Sequence, residues 1–333
     1  MPSADLLVTE ATAPPVPSRI AAGIAGYGAA LPATAVDTAA IAERIGVEPE
    51  WIVRRTGIAE RRRLGADERV TALAVDAAQA ALADAQVAAA DLDAVIVATS
   101  SADEVMPQAA PLVAGAIGAH HAMAWDTGLA CTGFLAALEQ AAALVESGRA
   151  THVLAIAAEG LSRITDHDDR KTASLFGDGA GAAVVSAGGP LRLAQAQLRA
   201  DPSESEALVV AHDDRYVRMD GQLVFQRAVA AMEDSCRAVL DEAGLEPGDI
   251  DLVIPHQANA RITSALRERL GLAHERVVDT IAGHGNTGAA SIPLALAQAR
   301  ADGRVPESGR LLFTAFGAGF AFGALLIEIG APA

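Results

Sequence analysis

A 15-residue unit recurs in the chain at a fixed distance, and this repeat restricts the possible fold more than any other sequence feature. Residues 82–96 (LADAQVAAADLDAVI) align without a gap with residues 240–254 (LDEAGLEPGDIDLVI), which lie 158 positions later. The apolar segment 153–156 aligns with 311–314 at the same offset. Two helix–turn–strand units with one spacing predict a chain of two similar halves. Alternatively, such units simply look alike in an alanine-rich chain.

Apolar patterning along the chain predicts an α/β layered fold, because strand-like runs alternate with amphipathic or alanine-rich helical runs. The strand candidates are 20–27, 94–98, 122–126, 152–157, 182–186, 252–254, 311–315 and 324–329. The helix candidates are 70–85, 132–146, 224–243, 258–270 and 291–301. We expect a mobile, proline-containing extension over 1–18, an N-terminal half over 19–186 and a C-terminal half over 187–333.

Charge and composition exclude several classes of function. The net charge of −17 disfavours nucleic acids and anionic membranes as partners, since both need a positive surface. No apolar run has the length of a membrane span, and the two cysteines lie in unlike surroundings. We therefore expect a cytoplasmic protein without disulfides. The sequence has no CxxC or HExxH motif, so we expect no metal site.

Cys131 is the candidate nucleophile. It lies between the apolar run 122–126 and the helical run 132–146, which predicts a sharp strand-to-helix turn. The positive end of the helix would favour a thiolate at this position. A lone cysteine is more often a small buried apolar residue, and Cys236 inside the run 224–243 fits that description.

His256 and Asn286 are the candidate partners of the cysteine. Each follows or lies near an apolar run, in the segments IPHQAN (254–259) and GNTGAAS (285–291). A nucleophile, an imidazole and a carboxamide are the parts of an acyl-transfer site. Taken singly, the histidine fits an ordinary loop and the Gly-Asn pair an ordinary turn. Duplicated halves commonly hold a site at their junction, so we expect the three groups to meet there.

Six segments in this order resemble the β-ketoacyl-acyl carrier protein synthase III family, which has the thiolase fold. They are EWIVRRTGI (50–58), ACTGF (130–134), LFGDGAG (175–181), PHQAN (255–259), GNT (285–287) and FGAGF (316–320). The resemblance covers nearly the whole chain from about residue 20. It implies a thiolase-like fold, in which two duplicated βα halves form a layered α-β-α-β-α arrangement, and a homodimer.

The resemblance also implies a mechanism. Cys131 would attack an acyl-CoA thioester and keep the acyl group, with the backbone N–H groups of Cys131 and Gly319 stabilising the carbonyl oxygen. A small residue at position 319 would let the main chain of Gly319 approach this carbonyl oxygen. His256 and Asn286 would bind malonyl-acyl carrier protein and stabilise the enolate formed by loss of carbon dioxide. No cofactor is implied, since acyl-CoA is a substrate.

Further residues match binding positions of the family. Trp51 and Arg170 match the two groups on either side of the adenine of CoA, and Arg55 matches a phosphate contact. The residues that match the wall of the pantetheine tunnel are Gly221, Phe225 and Asn259. The residues that match the surface for the acidic carrier protein are Arg261, Arg267 and Arg269. Alternatively, Trp51 is a core aromatic and the arginines around it form a solvated face.

Two departures from the family concern the acyl pocket and the asparagine loop. Met106 matches a position that reaches across the dimer interface to close the acyl pocket, where the family commonly has an aromatic residue. The flexible methionine predicts an adjustable end wall. Gly288 stands where the family commonly has serine.

Four other functions were weighed against the sequence. A degradative thiolase needs a second active cysteine near the C-terminus, and residues 316–323 contain none. An acyltransferase of specialised metabolism, passing the acyl group to a hydroxyl or amine, and a priming synthase for a polyketide pathway remain compatible with the short segment 188–219. A non-catalytic partner subunit typically lacks the cysteine, so Cys131 argues against that function.

Overall fold

The structure is a computed structural model that describes residues 20–330. The extension expected over 1–18 lies outside the described residues. The strands are β1 (Ala22–Ala30), β2 (Thr34–Asp37), β3 (Glu60–Arg63), β4 (Ala94–Ala98), β5 (Met123–Thr127), β6 (His152–Gly160), β7 (Asp178–Ala187), β8 (Leu191–Ala200), β9 (Leu208–Val209), β10 (Arg218–Met219), β11 (Leu252–Pro255), β12 (Gly309–Gly317) and β13 (Ala321–Ile329). The α-helices are α1 (Thr38–Ile45), α2 (Pro49–Thr56), α3 (Val70–Ala85), α4 (Ala109–Ile117), α5 (Gly133–Glu146), α6 (Gly221–Ala243), α7 (Ala260–Arg269), α8 (Ile281–His284) and α9 (Ser291–Ala301).

The main sheet consists of two half-sheets. Among residues 20–330, nine strands pair in the order β11-β12-β13-β8-β1-β7-β6-β4-β5. The β1–β8 junction is short, since in the described chain it comprises the pairs Gly23–Arg192 and Ile24–Leu191. β4 pairs in parallel with β5 and β6, and β11 in parallel with β12, whereas the other neighbours are antiparallel.

Helices and half-sheets stack in layers, as the sequence predicted. In the centre, α5 and α9 lie between the half-sheets, and their apolar side chains share one core with residues of β4, β6, β12 and β13. On one outer face, α3 and α4 pack on the β1–β7–β6–β4–β5 half-sheet. On the other, α6 and α7 cover the β8–β13–β12–β11 half-sheet. The described residues therefore form an α-β-α-β-α arrangement.

Small residues allow these layers to approach closely. Gly26 in β1 faces α3 so tightly that a Cβ atom there would lie 2.2 Å from the backbone nitrogen of Ala85. The facing residues Ala77, Ala78 and Ala81 of α3 are fully buried. Close contact between backbones explains how a chain with only 3% aromatic residues fills its core.

The internal repeat is confirmed at the level of individual hydrogen bonds. Gln86 ends α3 and Gly244 ends α6, 158 positions apart, and both have left-handed backbones. The backbone N–H of each residue donates to the carbonyl groups of the residues three and four positions before it. A 3₁₀ turn follows at Ala89–Asp91 and at Pro247–Asp249, and β4 and β11 come next.

The same offset relates the segments of the candidate site. The 3₁₀ turn Ala130–Thr132 precedes α5, and the 3₁₀ turn Gly288–Ala290 precedes α9. The Cys131 and Asn286 segments are therefore equivalent turns of the two halves. Both lead into the central helical layer.

Some elements were not predicted. Segment 188–219 contains the ten-residue strand β8, whose pairing with β1 and β13 joins the half-sheets. Helices α1, α2 and α4 and the short hairpin of β2 and β3 were also missed. The expected boundary at residue 186 falls near the end of β7. Among residues 20–330, no helix combines the length and the apolar character needed to cross a bilayer.

Candidate active site

A cavity of about 1190 Å³ contains the three groups singled out in the sequence. Cys131 reaches it from the first half of the chain, and His256 and Asn286 reach it from the second. The predicted binding residues that line the same cavity are Trp51, Arg55, Arg170, Gly221, Phe225, Asn259 and Arg261. Folding therefore brings together side chains that are widely separated in sequence.

A strained turn positions Cys131. The two preceding residues, Leu129 and Ala130, have φ values of 80° and 46°, a region that non-glycine residues rarely adopt. Gly317 at the end of β12 packs against this turn, since a Cβ atom there would lie 2.8 Å from the Cys131 nitrogen. The backbone of Cys131 is thus held between the strained turn and β12.

The resting thiol is neutral. Burial raises the pKa of the Cys131 thiol to about 12, and the negative charge of the nearby Glu159 acts in the same direction. The sequence predicted that the start of α5 would favour a thiolate, whereas in the structure burial has the largest influence on this pKa and acts in the opposite direction. The thiol proton must therefore leave as the sulfur reacts.

His256 is buried and uncharged. Its backbone N–H donates to the Thr314 carbonyl at 2.8 Å, which fixes the residue after β11 to β12. Burial lowers the pKa of the imidazole to about 4, so the ring is neutral at physiological pH. The Nδ1 atom lies 2.7 Å from the Ser291 hydroxyl oxygen at the start of α9.

Asn286 is oriented by its own loop. Its N–H donates to the Leu175 carbonyl and its carbonyl accepts from the Gly177 N–H, each at 2.9 Å. The side-chain Oδ1 accepts the Gly288 N–H at 2.9 Å. This bond leaves the NH₂ end of the carboxamide as the group that can donate into the cavity. His256 and Asn286 thus offer neutral donors.

Comparison with known proteins identifies the family. The model described as 3-oxoacyl-[acyl-carrier-protein] synthase III matches residues 125–202, and the model of its C-terminal part matches residues 240–329. The β-ketoacyl-[acyl-carrier-protein] synthase III of Bordetella petrii is 44% identical over 92% of this chain and 97% of that protein. The chain belongs to the 3-oxoacyl-[acyl-carrier-protein] synthase III family.

Similarity to solved structures supports the membership of this family. The synthase III of Aquifex aeolicus VF5 superposes with a TM-score of 0.90 at 40% identity, covering 92% of this chain and 99% of that one. The priming β-ketosynthase from the R1128 polyketide biosynthetic pathway has a TM-score of 0.90 at 35% identity, covering 96% and 99%. The thiolase-like fold predicted from the sequence is confirmed, and the synthase III chain is an acyl-transferring enzyme of the condensing type.

The cavity wall carries a stacked pair of side chains. The Arg55 guanidinium lies over the Trp51 ring, 4.2 Å from its centroid. Arg170 donates to the Ile45 carbonyl at 2.8 Å and the Gly46 carbonyl at 3.1 Å, at the end of α1. The contacts of Trp51, Arg55 and Arg170 with CoA stay predictions.

The cavity wall carries more cationic than acidic side chains although the chain as a whole is acidic, and one of the cations, Arg218, is paired with Asp214 and Asp166. Among the described residues, five cationic side chains line the cavity, against three acidic ones. The cationic residues are Arg55, Arg170, Lys171, Arg218 and Arg261, and the acidic ones are Asp169, Glu206 and Asp220. A local excess of positive charge attracts phosphate groups.

Gly319 has open space beside its Cα. A Cβ atom there would meet no protein atom of the described residues within 4 Å, and the predicted approach of its main chain to the substrate carbonyl oxygen stays a prediction. Its backbone has a φ of 83°, which favours glycine by conformation instead of by contact. Close approach occurs at Gly317, two residues earlier.

The predicted carrier-protein residues on α7 differ in their surroundings. Arg261 lies over the Phe225 ring, 5.3 Å from its centroid. Arg267 pairs with Glu268 at 3.3 Å, and Arg269 pairs with Glu233 at 3.0 Å, so neighbouring acids partly neutralise both. The roles of all three arginines stay predictions.

Met106 is 86% exposed and lies outside the cavity wall, and its pocket-closing role also stays a prediction.

Sequence reasoning missed a buried carboxyl group beside the nucleophile. Glu159 is 1% exposed and accepts from the Ser100 N–H and the Ser101 hydroxyl. Burial raises its pKa to about 7. A Cβ atom at Gly288 would lie 3.2 Å from Glu159 Oε1, and Gly288 has a φ of 56°, so both the close contact and the backbone conformation favour glycine there. A single acid ending the apolar strand β6 was the available signal.

Proposed function

We propose that this synthase III condenses an acyl-CoA primer with malonyl-acyl carrier protein through an acyl-Cys131 intermediate and so starts fatty-acid synthesis. The observation that carries the proposal is the convergence of the cysteine and two neutral donors, His256 and Asn286, in one cavity. Membership of the synthase III family supports the same reaction.

In the first step, Cys131 Sγ attacks the acyl-CoA carbonyl carbon. The S–H bond breaks, the carbonyl oxygen takes up negative charge, and the backbone N–H groups of Cys131 and Gly319 stabilise it. One such donor lowers the barrier by ~3–4 kcal/mol. The bond to the CoA sulfur then breaks, and CoA leaves as a thiol by taking up a proton in place of the one that Cys131 released, so that the step is balanced in protons. The acyl group remains as a thioester on Cys131.

In the second step, His256 and Asn286 donate hydrogen bonds to the thioester oxygen of malonyl-acyl carrier protein. The bond to the carboxylate breaks, carbon dioxide leaves, and the electron pair moves toward that oxygen. Neutral donors stabilise this enolate without repelling it, and the low pKa of His256 supports a neutral ring. The carbanion attacks the acyl carbonyl, and the Cys131 sulfur leaves and regains a proton. The product is a 3-ketoacyl-carrier protein.

We assign the nucleotide end of CoA to Trp51, Arg55 and Arg170, and the pantetheine arm to the wall formed by Gly221, Phe225 and Asn259. Their shared position along one cavity supports this assignment. The carrier protein would approach the surface of α7, where Arg261 borders the cavity. The absence of a cofactor and the cytoplasmic location remain predictions from the sequence.

A homodimer is part of the proposal. β5 forms one edge of the main sheet, and large apolar side chains are exposed near it. The exposed residues and their exposed fractions are Val105 (102%), Met106 (86%), Met123 (59%) and Leu129 (42%). A second copy covering this edge would bury them, and Met106 would then close the partner's acyl pocket. Light scattering of the purified chain tests the dimer, and a monomeric mass would contradict it.

A second candidate function is the priming of a polyketide pathway. The similarity to the R1128 priming β-ketosynthase favours it, because that structure covers nearly the whole chain. The acyl-Cys131 and decarboxylation steps are common to both candidates, and the primer and carrier protein differ. The acyltransferase alternative differs more, since it passes the acyl group to a hydroxyl or amine.

Carbon dioxide release from malonyl-acyl carrier protein tests the proposal. The purified chain is mixed with acetyl-CoA and labelled malonyl-carrier protein, and both carbon dioxide and 3-ketoacyl product are measured. We expect equal amounts of the two. Acyl transfer to an added acceptor without carbon dioxide would contradict condensation and favour the acyltransferase. Repeating the assay with carrier proteins of each pathway separates the fatty-acid and polyketide candidates.

A further inference from the structure

Ser291 is a buried residue whose hydroxyl lies between His256 and the backbone that follows it. It is the first residue of α9 and is 2% exposed. Its Oγ lies 2.7 Å from Nδ1 of His256 and accepts the backbone N–H of Gln257 at 3.3 Å. The start of α9 is thereby linked to the end of β11.

These two contacts determine where the protons lie. A backbone N–H can only donate, so the Ser291 oxygen acts as acceptor toward Gln257. The hydroxyl has one proton, and among the hydrogen bonds of the described residues its remaining partner is His256 Nδ1. Donation of that proton makes Nδ1 an acceptor, and a neutral imidazole then carries its own proton on Nε2.

The opposite arrangement is less favourable. If Nδ1–H donated to Ser291, the hydroxyl oxygen would receive two protons, and among the hydrogen bonds of the described residues its own proton would have no acceptor. Leaving a buried donor unpaired costs about 1–3 kcal/mol. The Nδ1–H form of His256 would also turn an unprotonated Nε2 toward the cavity, where it could not donate to a substrate oxygen.

We propose that Ser291 is a positioning residue that fixes the tautomer of His256, so that the imidazole presents an Nε2–H donor to the cavity. Ser291 itself does not touch the substrate. The inference rests on the proposed function, because the donor matters only if His256 binds the malonyl thioester. A hydroxyl 35 residues away in sequence thus completes the donor pair formed by His256 and Asn286.

The ring nitrogens of His256 provide a direct test in the unaltered protein. Nitrogen NMR of the ¹⁵N-histidine-labelled chain distinguishes the protonated from the unprotonated ring nitrogen, and His256→Asn identifies the resonance. We expect a proton on Nε2 and none on Nδ1 from about pH 5 to 8. A proton on Nδ1 would overturn the proposal. This measurement needs no catalysis, so its outcome is independent of whether the chain condenses acyl groups.

Two substitutions then test the role in the reaction. Ser291→Ala should slow decarboxylation of malonyl-carrier protein at least about tenfold and give a mixture of tautomers, while acylation of Cys131 by acetyl-CoA stays unchanged. Ser291→Thr keeps the hydroxyl and should restore both the Nε2–H tautomer and decarboxylation. Equal loss of acylation and decarboxylation in Ser291→Ala, or an unchanged tautomer with an unchanged rate, would contradict the positioning role. If the wild-type chain shows the Nε2–H tautomer but never decarboxylates, the proposed function fails while the tautomer assignment stands.

Discussion

The side-chain oxygen of Asn286 accepts the backbone N–H of Gly288 at 2.9 Å, so the loop that carries the carboxamide also determines which end faces the cavity. An aspartate at this position would keep the contact with Gly288 but present a second oxygen in place of the NH₂ donor. A carboxylate repels the developing enolate. The orientation of Asn286 therefore predicts a defect confined to one half of the reaction.

Asn286→Asp is expected to lower decarboxylation of malonyl-carrier protein by at least about 100-fold, as loss of a transition-state donor does. Acylation of Cys131 by acetyl-CoA should continue, because Asn286 takes no part in it. Intact-mass measurement follows acylation, and labelled carbon dioxide follows the second step. Parallel loss of both steps would contradict the division of roles.

Gly317→Ala and Gly319→Ala are a matched pair of substitutions whose expected effects have different physical causes. A methyl at Gly317 would lie 2.8 Å from the Cys131 nitrogen and displace the nucleophile's turn, so acylation should fall strongly. A methyl at Gly319 meets no atom but must adopt a φ of 83°, which costs about 1–2 kcal/mol. We expect Gly319→Ala mainly to lower the free energy of unfolding, measured in urea, and to acylate faster than Gly317→Ala. The reverse order of acylation rates would contradict this assignment.

Glu159→Gln tests the buried carboxyl group through the pH dependence of stability. The folded pKa of about 7 exceeds the value of 4.5 for an unperturbed group, so the folded state binds more protons between these pH values. The contribution of Glu159 to the free energy of unfolding is therefore present at low pH and is lost as the pH rises toward 7. Relative to Glu159→Gln, the wild-type free energy of unfolding should fall by up to ~3 kcal/mol across this range. The buried His256 changes the free energy of unfolding with pH in the opposite direction, because its folded pKa is lowered to about 4. This contribution is the same in the wild type and in Glu159→Gln, so it cancels in the difference between them. A wild-type minus variant difference that does not change with pH would contradict a raised pKa at Glu159.

Trp51→Ala tests the proposed nucleotide end of the cavity. Loss of the ring that stacks with Arg55 should raise the KM for acetyl-CoA about tenfold and leave kcat nearly unchanged. Acetyl-pantetheine, which lacks the nucleotide, is the matched control substrate, and its kinetics should not respond to the substitution. An equal effect on both substrates would show that Trp51 acts through the fold instead of through the nucleotide.

Much of the architecture followed from the sequence because it is repeated and periodic. The helix bounds Val70–Ala85 and Ser291–Ala301 were predicted as observed, and both belong to strongly patterned segments. The repeat at 82–96 and 240–254 predicted equivalent helix ends, which the caps at Gln86 and Gly244 confirm. The strand β8 was missed because its role depends on pairing with β1 and β13, and such pairing has no local sequence signal.

The convergence of the three candidate residues in one cavity could be predicted, but their chemical states could not. Cys131, His256 and Asn286 were selected by residue type and by position at the ends of apolar runs. The neutral state of Cys131 depends on packing by residues far away in sequence, including Gly317. The same holds for the contact of Ser291 with His256, which forms only when α9 meets the end of β11.

The central claim is that Cys131 carries the acyl group while His256 acts only on the malonyl substrate, and His256→Ala separates these roles most directly. Purified His256→Ala and Cys131→Ser are each mixed with acetyl-CoA, examined by intact mass, and then given labelled malonyl-carrier protein. We expect His256→Ala to gain one acetyl group but release no carbon dioxide above background, and Cys131→Ser to gain no acetyl group and to lose condensation by at least about three orders of magnitude. Normal condensation by His256→Ala, or a stable acetyl adduct on Cys131→Ser at another residue, would contradict the account.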